Sequence, residues 1–147
     1  MRLRRLLSLR FLLLLPLIAL AAPASLRVAH ARITDAPPSA TMRVGYLELH
    51  NDGDTAIRVT GADSDDFARV EMHQTVFDHG VAQMRALPEA VVPAHGQFAF
   101  APGGAHLMLI GPKRTLAAGD RVRLTLVLDS GERLLVELGV LERDGAF

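Results

Sequence analysis

An imidazole and a thioether two residues apart, His106 and Met108, open the apolar run Leu107–Ile110. The run reads as a short strand, and alternate side chains of a strand share a face. Pro102-Gly103-Gly104 precedes it and turns the backbone sharply, because glycine reaches conformations closed to other residues. A turn followed by His-x-Met presents two donors side by side at a strand's start. Imidazole nitrogen with thioether sulfur suits copper, above all Cu(I). A second His–Met pair stands upstream: ten residues separate His73 from Met84, and twenty-one separate Met84 from His106. Singly, these residues have plainer readings. A lone methionine on a strand usually packs in a core, and a histidine beside a turn usually satisfies a local polar group.

The joint spacing, His73-x10-Met84-x21-His106-x-Met108, resembles the copper-binding motif of the PCu(A)C periplasmic copper chaperones. The flanking residues are similar too: Val70-Glu71-Met72-His73, Gly80-Val81, Met84-Arg85, Val92-Pro93-Ala94-His95-Gly96 and Pro102-Gly103-Gly104, with Gly45-Tyr46-Leu47 and Asn51-Asp52-Gly53 further upstream. The likeness spans about residues 27–140. It implies a cupredoxin-like fold and one Cu(I) per chain, held by His73, Met84, His106 and Met108. It also implies a copper acceptor as partner, either the copper domain of cytochrome c oxidase or a thiol-bearing assembly factor. The donor set fits such work. Outside the cytoplasm thiolates oxidise to disulfides, whereas thioethers do not form them and are still soft enough for Cu(I). Four neutral donors leave only the metal's own charge, so a thiolate acceptor can take the ion.

The elements that must position these donors begin after a leader. Arg2, Arg4, Arg5 and Arg10 precede an apolar stretch from Phe11 to Ala22, the layout of an export signal and too short to span a bilayer comfortably. Cleavage is expected after Ala24, with Ala21 as the second choice. Residues 1–24 are then signal, and 25–147 form one domain in the periplasm or another extracytoplasmic space. The whole chain has 16 basic and 16 acidic residues. Loss of the four leading arginines leaves 12 basic residues, a mildly acidic domain. It has no basic cluster of the kind that binds nucleic acid, and Lys113 is the only lysine. There is no cysteine, which excludes disulfides, a blue-copper site of the His2Cys type and a lipid anchor on cysteine.

The domain reads as all-β. Strands are expected at Leu26–Ile33, Thr41–His50, Ala56–Ala62, Ala68–Thr75, Val81–Leu87, Gln97–Ala101, the run after Pro102, Arg121–Asp129 and Leu134–Leu141. Val122, Leu124, Leu126 and Leu128 alternate cleanly with polar residues. Eight or nine short strands with frequent turns argue a β-sandwich or Greek-key barrel, and the domain is large enough to bury a core as a monomer.

Secondary candidates read as follows. Met72 and Met42 pack, and His50, His79 and His95 are solvated. Glu71 could orient a ligand as an acceptor, a role against which strand alternation is counted. No spacing of Ser, His, Asp or Glu resembles a hydrolase or oxidase centre, so no enzyme is expected. The alternative to a delivery protein is an exported protein that buffers copper and confers tolerance without a dedicated acceptor.

Overall fold

A computed structural model describes residues 25–141; the expected leader, residues 1–24, lies outside them. Among the described residues all regular structure is strand. Ten strands run β1 (Leu26–Ile33), β2 (Met42–Asn51), β3 (Ile57–Asp63), β4 (Phe67–Asp78), β5 (Val81–Ala86), β6 (Ala90–Val92), β7 (Gly96–Phe100), β8 (Ala105–Pro112), β9 (Arg121–Leu128) and β10 (Arg133–Val140). Among the described residues no helix is long and apolar enough to cross a membrane.

The strands form one continuous ladder in the order β5-β4-β8-β7-β2-β1-β10-β9-β3-β6, with β8 also paired to β2. The neighbours β4–β8, β3–β9 and β1–β10 are distant in sequence, so the chain repeatedly crosses over, as in a Greek key. β1 and β10 pair parallel and most other pairs are antiparallel. β3 lies near one end of the ladder and β4 near the other, yet the two are in contact. The sheet therefore curls on itself and encloses a core.

Period-2 alternation supplies that core. Leu47 and Leu49 of β2, Leu107 and Leu109 of β8, Val122, Leu124 and Leu126 of β9, and Leu138 of β10 are wholly buried, joined by Phe67 and Phe100. Side chains on alternate positions turn outward, and on β4, β5 and β8 these outward positions carry the candidate donors.

Three expectations change. Met42 is 43% exposed rather than packed. Alternation counted from Leu47 and Leu49 directs Arg43 inward and Met42 outward. The buried Arg43 guanidinium reaches Asp35 Oδ1 at 3.2 Å and donates to the Leu116 carbonyl at 3.2 Å. A short strand, β6, stands where no element is expected, pairing Ala90–Val92 with Val59–Ile57. β4 runs on to Asp78 because its last residues pair with β5, Phe77 opposite Ala82 and Asp78 opposite Val81.

Candidate metal centre

Cross-strand register places the four candidate donors on one face of three adjacent strands. On β4 and β8, His73 stands opposite His106 and Glu71 opposite Met108. On β4 and β5, Thr75 stands opposite Met84 and His73 opposite Ala86. Residues two apart share a face. His73 and Thr75 of β4, Met84 of β5, and His106 and Met108 of β8 thus occupy one face of three adjacent strands. Met72 and Leu107, also opposite each other, point the other way and are buried, as expected for Met72. Met42 shares the outer face but stands opposite Ile110, while Val44 is Met108's neighbour.

The two imidazole rings meet edge to face, centroids 6.1 Å apart and planes at 67°. His106 is buried and its orientation is set by the turn. Gly103 has φ +79°, a left-handed conformation that suits glycine. The Gly104 carbonyl accepts from the Thr75 backbone N–H at 3.1 Å, tying the turn to β4. The same carbonyl lies 3.1 Å from His106 Nδ1. A carbonyl can only accept, so Nδ1 carries the proton and Nε2 is left bare. His106 Nε2 is buried and has no hydrogen-bond partner, and the same holds for His73 Nδ1.

Unpartnered buried polar atoms are rare and costly. Two of them on adjacent imidazoles, flanked by methionines on the same face, suit a soft cation that accepts two nitrogens and two sulfurs. Among the described residues no group of three or more His, Asp or Glu is arranged to hold a metal. Met108 is half-buried. Met84 is 56% exposed on the edge strand β5.

His73 Nε2 lies 3.0 Å from Glu71 Oε2. Alternation does not oppose this contact: residues 71 and 73 are two apart and share a face, so the reasoning that counted against Glu71 is corrected. His79 and His95 are solvent-exposed, as expected, with side chains 96% and 65% accessible. His50 is half-buried, 3.3 Å from Glu48 Oε2. Its neighbourhood, a cleft of about 350 Å³ lined by His50, Asn51, Asp52, His95, Gly96 and Gln97, contains none of the four donors. Its imidazoles already have carboxylate partners, His50 with Glu48 and His95 with Asp54.

The model of the LpqE-like family matches residues 25–140. "Putative lipoprotein Lxx21020" of Leifsonia xyli subsp. xyli is 31% identical over 106 residues, 71% of this chain. The chain spans under two thirds of the curated relatives it matches, 64% of that one and 53% of another. Among solved structures, CuI-DR1885 from Deinococcus radiodurans is 31% identical, with 84% of this chain and 81% of that one covered at a TM-score of 0.64. The copper-bound PCuAC domain from PmoF2 is 20% identical, with 83% and 97% covered and a TM-score of 0.68. The fold of the chain is cupredoxin-like, as these neighbours are.

Proposed function

The chain belongs to the LpqE-like family, and on that footing we propose that it is an exported Cu(I) chaperone whose cargo is held by His73, Met84, His106 and Met108. The single observation that carries the reading is the pair of buried, unpartnered nitrogens, His73 Nδ1 and His106 Nε2, on facing strands. Copper bound by CuI-DR1885 and by the PmoF2 domain, as their names state, supports the choice of metal.

The residues divide the work. His106, buried and tied to the turn through Gly104, is the rigid anchor. His73 faces it across the ladder, and Met108 adds sulfur one alternation further along β8. Met84 sits on the exposed edge and is the donor an incoming acceptor displaces first. Phe77 stands on the same face, 70% exposed, and offers an apolar contact beside the exit. Four neutral donors release a soft cation readily to thiolate. The acceptor we propose is the copper domain of cytochrome c oxidase or a thiol-bearing factor that loads it, met in the periplasm after the leader is removed.

Anaerobic titration with a Cu(I) probe should saturate at one equivalent. Transfer of that copper to an apo oxidase copper domain supports delivery. Retention against every acceptor supports copper buffering, and equal competition by Zn(II) would overturn the soft site, since zinc gains little from thioethers.

A further inference from the structure

Three outward residues of β4 form a row: Arg69, Glu71 and His73. Glu71 uses both carboxylate oxygens. Oε1 lies 2.8 Å from Arg69 Nε and Oε2 lies 3.0 Å from His73 Nε2. The row runs beside Ile110, Met108 and His106 of β8, residue for residue. Arg69 is permanently charged and orients the carboxylate. An ionised carboxylate only accepts. A bare Nε2 lone pair at 3.0 Å would be repelled by it, whereas an Nε2–H is attracted. The bare nitrogen of His73 is therefore Nδ1, the atom that is buried without a partner. At His106 the Gly104 carbonyl imposes the opposite tautomer.

Resting on the Cu(I) site argued above, we propose that Glu71 is a positioning residue that locks His73 in its Nε2–H form, so that copper is held through Nδ1 of His73 and Nε2 of His106. The two imidazoles thus use different nitrogens because different groups face their other ends: the charge of a side-chain carboxylate for one and the hydrogen bond of a turn carbonyl for the other. Glu71 is not itself a donor to the metal. Both its oxygens are engaged, and a carboxylate is a hard ligand poorly matched to Cu(I). Outer partners of this kind commonly change metal affinity by about 10–100-fold.

The test reads the imidazole nitrogens directly. In the ¹⁵N-labelled apo protein, two-bond proton–nitrogen NMR spectra should show His73 with a bare Nδ1 and His106 with a bare Nε2. Cu(I) added anaerobically should move those two nitrogens. Glu71→Leu should turn His73 into a tautomer mixture and weaken Cu(I) binding by roughly 10–100-fold. Glu71→Gln, whose amide oxygen accepts from Nε2–H, should restore most of both. Copper-induced shifts at Nε2 of both histidines would overturn the proposal and leave the four-residue site standing. No shift at either histidine would overturn the site itself. A Glu71→Leu protein with unmodified tautomers and affinity would also overturn the role of Glu71. If that variant does not fold, the unmodified protein's spectra and Glu71→Gln still decide.

Discussion

Replacing Met84 by leucine separates binding from folding more cleanly than any other change at the site. Met84 is 56% exposed on an edge strand. Leucine nearly conserves its volume, and surface changes away from packed features usually stay within about 0.5 kcal/mol. The apo melting temperature should therefore hardly move. The sulfur, however, is lost. Removing a donor should cost at least what removing an outer partner costs, so Kd should rise by about 100-fold or more. Linkage converts this into heat stability. With free Cu(I) at 100 times the unmodified protein's Kd, binding stabilises by about 2.7 kcal/mol, and a 100-fold weaker variant gains only about 0.4 kcal/mol. For a domain of this size 1 kcal/mol corresponds to about 4 °C. Copper should then raise the melting temperature by about 11 °C in the unmodified protein and about 2 °C in Met84→Leu. Anaerobic differential scanning calorimetry with buffered Cu(I) measures both. Met42→Leu and Met72→Leu are the controls: the first sits opposite Ile110 and the second in the core, so each should keep the full copper-dependent rise. A Met84→Leu protein that also keeps it would remove Met84 from the site and break the reasoning from shared strand faces.

Three further outcomes are expected. Leu107 is fully buried opposite Met72, so Leu107→Ala should cost about 2–5 kcal/mol in urea unfolding of the apo protein. Gly103→Ala places a side chain at φ +79° with no atom within 4 Å of its new Cβ. The loss is therefore conformational, on the order of 1 kcal/mol, and Cu(I) titration should show weaker binding because the turn that orients His106 is loosened. The Asp52 carboxyl is held below its usual range, chiefly by its hydrogen bond from Arg27. A lowered carboxylate pKa stabilises the fold above the ordinary range and loses that contribution as pH falls through the folded value. Asp52→Asn should therefore be less stable than the unmodified protein at pH 7, with the two converging in acid as the carboxyl becomes protonated. Denaturant titrations at pH 7 and in acid check this.

The donor types, their spacing and the shared face of His106 and Met108 follow from the sequence alone, because strand alternation is a local property with a period of two. The alternation of β9 from Val122 to Leu128 is legible for the same reason, and with it the all-β class. What stands opposite what is not local. That His73 faces His106, and that Met84 falls two rows from Ala86 on the same side, depends on register between strands distant in the chain. Register is set by the whole core, through residues such as Leu107 and Leu109 that must point inward. Met42 illustrates the same dependence: its outward position follows from where Leu47 and Leu49 are buried, not from its own hydrophobicity. β6 carries too few residues for a periodic signal and exists because β3 offers it an edge. The protonation pattern of the two histidines was the least legible of all. It is decided by what approaches each ring's far nitrogen, the Glu71 carboxylate in one case and the Gly104 carbonyl in the other, and only the folded chain brings those acceptors within reach.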